Sequence, residues 1–379
     1  MATESPKSEV NMMGLMDELK TGVKSGVTNA KSQSLELIIE NYILITGIFL
    51  AITVLLIIFF TSKTFRVGRR LDRMRIIEKF QEVKPFEYSR YGNIKLCDCK
   101  VNSSYNSAHT GYQMFDYTSE EMVRKKLQCG ARYFEFNIYN SQFGSKAIPT
   151  TSNGYKVGEW KMMLNDTPLE YCFDIIANNA FKIREGIHGS PNPEDPIFIG
   201  LNLNTNNNLN CLDILSDIIL DYFKDRLLHT KYSYQSYDNF PSIKMSHIME
   251  KVIIFSSDGY QGSGLEELVN YCWDNVDENP EHAMQRIHHT DIEDDNFNHK
   301  QLIEYNKKGL TIIVPHKEGD FYSKNYNPIK GFEYGCQFVT MNTHHIDYNL
   351  DVYISAFKNY SILIKPKKLR STYIKTHKS

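Results

Sequence analysis

Residues 119–139 read SEEMVRKKLQCGARYFEFNIY, a helix-favouring stretch that closes on Gly130 and passes directly into an alternating run from Ala131 to Tyr139. Glycine accepts the left-handed backbone that ends a helix, and a period of two behind it is the pattern of a strand. Working outward, Leu169 to Arg184 is a second helical stretch, and the near-continuous apolar run PIFIGLNL at 196–203 follows it. KVIIF at 251–255, LTIIV at 310–314, GCQFVTM at 335–341 and YSILI at 360–364 complete a set of strands that read as buried on both faces. Such strands in alternation with helices indicate an α/β fold, and one barrel of about 250 residues fits within the 379 present. Between them, NLNTNNNLN at 202–210 reads as a polar loop, and no internal repeat is visible.

The sharpest change in composition lies earlier. Tyr42 to Phe60, YILITGIFLAITVLLIIFF, carries no charge, and about 19 residues at about 1.5 Å each span a hydrocarbon core of about 30 Å. This is the pattern of a transmembrane helix. Glu36 and Glu40 precede it, whereas Lys63, Arg66, Arg69, Arg70, Arg73 and Arg75 crowd the other side, which predicts a single pass with the C-terminal part in the cytosol. The basic flank also suits anionic lipid. Residues 1–41 are expected to be a partly helical tail interrupted at Gly22 and Gly26, and 61–90 a basic juxtamembrane helix and linker ending near Pro85. Residues 371–379 form a basic tail.

A net charge of −2 argues against nucleic acid as a partner. The seven cysteines are an odd number, and Cys97 and Cys99 are one residue apart, too close for a zinc pair. Reduced structural thiols are therefore expected. Richness in Asn, Ile, Lys and Tyr suggests an A/T-rich genome such as that of a protist or a large DNA virus.

The C-terminal part resembles the catalytic barrel of eukaryotic-type phosphoinositide-specific phospholipase C. In the X-like half, 91–257, SSYNSAHTGYQ at 103–113 is similar to the family's opening motif, and Gly130, Arg132, Glu135, Asn137 and Tyr139 follow its next pattern. PIFIGLN is similar to a further family strand. In the Y-like half, 258–370, LEELVNY (265–271), YNKKGLTIIVP (305–315), SKNYNP (323–328), YGCQFVTMNT (334–343) and ILIKPKKLR (362–370) arrive in family order. The resemblance implies a TIM-type (β/α)8 barrel of the phospholipase C-like phosphodiesterase type, preceded here by one transmembrane helix.

The family's reaction, attack of an inositol hydroxyl on the neighbouring phosphate, requires a base, an acid and calcium. By resemblance the first catalytic histidine is Tyr105 here, and the second, in a His-Gly-Tyr stretch, is Asn153 ahead of Gly154 and Tyr155. The calcium ligands fall on Asn106, Glu135, Asn137 and Asn202, of which only Glu135 is a carboxylate, paired in expectation with Arg132 or a lysine. The headgroup cations fall on Phe255, Ser257, Ile312 and Val314. His109 is a candidate substitute, and His344 with His345 reads as surface.

Three readings follow. The first is a catalytically inactive pseudoenzyme, without cofactor, that serves a structural or interaction role at a membrane through protein partners the sequence does not identify. The second is an active phosphoric diester hydrolase with a site rebuilt around Glu135 and His109, where calcium is the candidate cofactor. The third is a lipid-binding module without turnover.

Overall fold

The computed structural model describes residues 12–112, 114–143, 146–154, 163–236, 239–273, 283–315 and 324–371. Two units form, Met1–Phe65 and Arg66–Ser379.

In the first unit a single helix, α1, runs from Met12 to Thr61. The expected interruption at Gly22 and Gly26 does not occur, because glycine lowers helix propensity by only about 1 kcal/mol and a long helix tolerates it. Asn41–Thr61 has mean hydropathy 3.0 and buries nothing, and it is the one helix among the described residues long and apolar enough to cross a membrane.

The second unit is built on a sheet. Its strands are β1 (Cys99–Ser104), β2 (Tyr133–Phe143), β3 (Lys146–Thr151), β4 (Thr167–Pro168), β5 (Ile197–Asn204), β6 (Val252–Ser256), β7 (Tyr271–Cys272), β8 (Gln285–His288), β9 (Thr311–Val314), β10 (Phe338–Met341) and β11 (Ile362–Ile364). Eight are parallel neighbours in the order β7-β6-β5-β2-β1-β10-β9-β8. At the seam between β7 and β8, Met284 N donates to Cys272 O at 2.9 Å. This is the barrel the sequence pattern implies. β3 extends β2 as an antiparallel hairpin, and β11 pairs antiparallel with the start of β1.

Alternation along β2 explains the layering. Phe134, Phe136 and Ile138 point outward onto a layer that includes Val123, Leu127, Phe173, Ile176, Leu212 and Ile219. These come from α4 (Glu120–Gln128), α5 (Leu169–Asn179) and α6 (Leu209–Phe223), which follow α2 (Lys63–Phe80) and α3 (Tyr88–Tyr91) in the chain. Ser119 caps α4 by accepting from Glu121 N, and Gly130 ends it at φ +76°, where a Cβ would meet Ser361 and Val83.

From Arg66 onward α2 belongs to the barrel's outer layer rather than to a free linker. Met74 and Ile77 are buried with Leu302, Ile313, Val339, Leu350, Tyr353 and Phe357. Glu78 pairs with Arg184 and, at 2.7 Å, with Lys125 of α4. Further on, Glu82 N and Lys84 N donate to Lys358 O and Asn359 O at 2.9 and 2.8 Å. All seven cysteines are buried and unbridged. Residues 372–379, nearly all of the basic tail, lie outside the described residues, as does Tyr155.

Candidate functional site at the barrel mouth

The turn after β1 is held by its own small hydroxyls. Ser104 Oγ and Ser107 Oγ lie 2.9 Å apart, Ser107 N donates to Glu135 O at 2.7 Å, and Glu135 N donates back to Ser107 Oγ at 3.0 Å. Asn106 takes a left-handed backbone at φ 38°, which asparagine tolerates better than most residues. Lys126 of α4 is fully buried beneath this turn and points Nζ at the carbonyls of Asn106 and Tyr105, 3.4 and 3.5 Å away. Burial pushes its pKa down to about 7.

These bonds fix where the candidate residues go. Tyr105 is buried in the barrel interior, and burial raises its hydroxyl pKa above the usual value. Glu135 is fully buried. Its Oε1 accepts from Arg286 Nη2 at 2.8 Å and its Oε2 from the Tyr133 hydroxyl at 3.0 Å. The expected partner of Glu135, Arg132, is elsewhere, since neighbouring strand positions face opposite sides. Arg132 points outward, donating to Ala180 O at 3.1 Å, Asn192 Oδ1 at 2.6 Å and Ser190 Oγ at 2.5 Å.

Arg286, on β8, is the residue that the sequence reading missed. Its side chain is 20% exposed, its guanidinium lies 6.0 Å from the Trp273 ring centroid, and it hydrogen-bonds the Tyr105 hydroxyl. Burial opposes its charge, yet Glu135, with Tyr105 and Tyr133, holds its pKa above the ordinary arginine value. A lone buried carboxylate was the available signal, because such a group requires a cation nearby.

Asn137 and Asn202 are cross-strand partners, and Asn202 Nδ2 donates to Asn137 Oδ1 at 2.9 Å. Ser152 N reaches Asn137 O at 3.4 Å, which brings the buried Asn153 next to this pair. β2 and β5, with the turns that follow β1 and β3, thus gather Tyr105, Asn106, Glu135, Asn137, Asn153 and Asn202 into one region. His109 is fully buried with Nε2 on Ser152 O at 3.2 Å, whereas the Glu135 oxygens are taken by Arg286 and Tyr133.

Three of the four positions expected by resemblance to hold headgroup cations, Phe255, Ile312 and Val314, are apolar in environment as well as in identity. Phe255 is fully buried, with ring centroids 5.6 Å from Phe198 and 5.5 Å from Phe338. Ile312 and Val314 join the same interior cluster, together with Tyr133, Tyr271 and Trp273. Gly200 admits this packing, because a Cβ there would collide with the Tyr133 hydroxyl. Ser257 Oγ accepts from Leu203 N at 2.9 Å and so ties β6 to β5.

Of the other histidines, His288 caps the short helix that follows β8 by accepting from Thr290 N, and His289 stacks on Tyr326 at 4.8 Å. His344 corrects a surface expectation: it is buried, with Lys126, His109 and Arg70 close by, and its pKa lies well below the usual value. Burial is the main cause, followed by the nearby Lys126 and His109. Among the described residues no group of three or more His, Cys, Asp or Glu is placed to hold a metal.

Comparison with known proteins agrees with this geometry. The X domain of phosphatidylinositol-specific phospholipase C matches residues 93–257, and the Y domain matches residues 266–367. A crystal structure of PLC21 from L. pealei superposes with a TM-score of 0.60 at 20% identity, covering 74% of this chain and 38% of that one. PLC21 from S. officinalis gives 0.60 at 19% identity with the same coverage. The chain thus spans well under half the length of either. No curated protein sequence matches it.

Proposed function

We propose, on the premise that this chain belongs to the phosphatidylinositol-specific phospholipase C family by its X and Y domains, that its barrel no longer hydrolyses lipid and serves instead as a membrane-held structural or interaction module. The packing of the barrel interior carries this reading. Phe255, Ile312 and Val314 occupy the positions where the family places headgroup cations, and they sit in one aromatic and aliphatic core. A polyphosphate brought there would meet no charge-assisted donors from them, each such bond being worth about 1.5–3 kcal/mol.

The proton carriers point the same way. Tyr105 is buried with a raised pKa, so it holds its proton at neutral pH, and an amide at Asn153 does not exchange protons there. Nor do the residues fit calcium. The one carboxylate among the four candidate ligands has both oxygens engaged by Arg286 and Tyr133, and the Asn137 amide oxygen is taken by Asn202. Ca²⁺ affinity follows the number and charge of free oxygen ligands.

The membrane part of the proposal rests on Asn41–Thr61 and on the arginines after it, which favour a single pass with the barrel on the cytosolic side. Protein partners, and anionic lipid at the basic flank, are the proposed contacts. In sealed membranes, protease on the cytosolic face should digest the barrel and spare residues before Asn41; a protected barrel would reverse the orientation. The full chain in phosphatidylinositol vesicles should release no inositol phosphate with or without Ca²⁺. Turnover that Glu135→Ala abolishes would overturn the inactive reading.

A further inference from the structure

We infer that Arg286 is a built-in counter-cation: its guanidinium takes the charge-neutralising position at Glu135, so the barrel centre needs no metal, and a cation site opens there only when Arg286 is removed. This rests on the proposed loss of calcium chemistry and names what replaces it. Glu135 is fully buried, so an ionised carboxylate there requires a positive partner. One is supplied at 2.8 Å, from the far side of the ring. β2 and β8 stand four places apart among eight strands, so the arginine crosses the barrel to reach the carboxylate.

The surroundings orient this cation. The Tyr133 hydroxyl donates to the second carboxylate oxygen, the guanidinium donates to the Tyr105 hydroxyl, and the Trp273 ring lies 6.0 Å from it. Tyr105 thus stands where the family has a catalytic histidine and here contacts the cation instead. A metal ion arriving beside Glu135 would meet a fixed like charge at hydrogen-bond distance from its only carboxylate ligand. Without the guanidinium, Glu135 Oε1 would become available beside Asn137 and Asn202, which share one cross-strand position and whose amide oxygens an ion would draw from their mutual hydrogen bond. That set suits a hard oxygen-seeking cation.

Trp273 supplies a reporter, because an indole close to a bound terbium ion sensitises its emission. The full chain in detergent is titrated with Tb³⁺ alone and in competition with Ca²⁺. The unaltered protein should give no saturable emission that depends on Glu135. Arg286→Met should gain such emission, Ca²⁺ should displace it, and Glu135→Gln/Arg286→Met should lose it again. Arg286→Gln, which keeps a neutral donor for Glu135, is the second variant if Arg286→Met does not fold. A folded Arg286→Gln or Arg286→Met protein that binds no Tb³⁺ would overturn the inference, as would Glu135-dependent Tb³⁺ binding by the unaltered chain. Phosphatidylinositol hydrolysis by the unaltered chain that survives chelation would instead defeat the inactive reading while supporting Arg286 as the resident cation.

Discussion

Arg286 and Glu135 meet at 2.8 Å from opposite sides of the barrel, and the carboxylate is fully buried while the guanidinium side chain is one-fifth exposed. Removing one member of a buried pair leaves a charge without compensation, at a cost of about 3–5 kcal/mol. Glu135→Gln should therefore destabilise the barrel by about that amount. Glu135→Gln/Arg286→Met should cost less than the sum of the single changes, because both charges leave together. Chemical denaturation of the four proteins measures the coupling, and strict additivity would mean that the pair contributes nothing across the barrel.

Rebuilding the family's residues offers a second test. Tyr105→His, Asn153→His, Asn137→Asp and Asn202→Glu in one chain would put three carboxylates on β2 and β5, yet with Arg286 still on Glu135 calorimetry should detect no Ca²⁺ binding. Adding Arg286→Met should make binding appear. Hydrolysis of phosphatidylinositol should stay absent, since Phe255, Ile312 and Val314 remain in the interior core. A folded fivefold variant, with Arg286→Met included, that binds no Ca²⁺ would show that these positions do not converge on one ion.

Two buried basic groups, Lys126 beneath the β1 turn and His344 after β10, make the stability of the barrel depend on pH. Lys126 has a folded pKa of about 7, lowered from an unfolded value of about 10.4, so the folded state favours its neutral form. Its stabilising difference is present above the unfolded pKa and is lost as pH falls toward 7. Lys126→Met should thus gain on the unaltered protein by on the order of a few kcal/mol between pH 10 and 7. His344, lowered by burial and then by Lys126, His109, Arg70 and His345, acts in the next window down. Stability should fall as pH drops below about 6.5, and His344→Gln should flatten that limb. Unfolding midpoints across this range decide both points, and an unchanged pH profile in both variants would refute the account.

What the sequence disclosed follows from which signals are local. The helix closing on Gly130 and the alternation from Ala131 to Tyr139 lie within one short window, and α4 and β2 form there. Motif positions such as Tyr105, Asn137 and Asn202 were likewise readable one at a time. Arg286 was not, because β8 is four residues long, too short to show a period, and its partner lies 151 positions away. The absence of cations at Phe255, Ile312 and Val314 was visible, but their meeting in one core depends on strand order, which no local pattern encodes. In α2 the charges masked the structural signal, since Val67, Met74 and Ile77 carry a buried stripe among six cations between positions 63 and 75.

That stripe decides where the barrel begins. A fragment starting near residue 85 would keep every strand, yet it would strip Met74 and Ile77 from the cluster that holds Tyr353, Ile354 and Phe357. It would also lose Glu78, which pairs with Lys125 and Arg184, and the backbone bonds from Glu82 and Lys84 to the segment before β11. Truncating a buried Met or Ile to Ala costs about 2–5 kcal/mol, a large share of the stability of an ordinary domain. A fragment beginning at Arg66 should therefore unfold cooperatively and stay soluble, whereas one beginning at residue 85 should aggregate or melt at markedly lower temperature. Met74→Ala and Ile77→Ala in the longer fragment should each lower the melting temperature, while Arg73→Ala, on the exposed face of the same helix, should leave it nearly unchanged. Equal melting of the two fragments would show that α2 is a tether lying against the barrel rather than part of its fold.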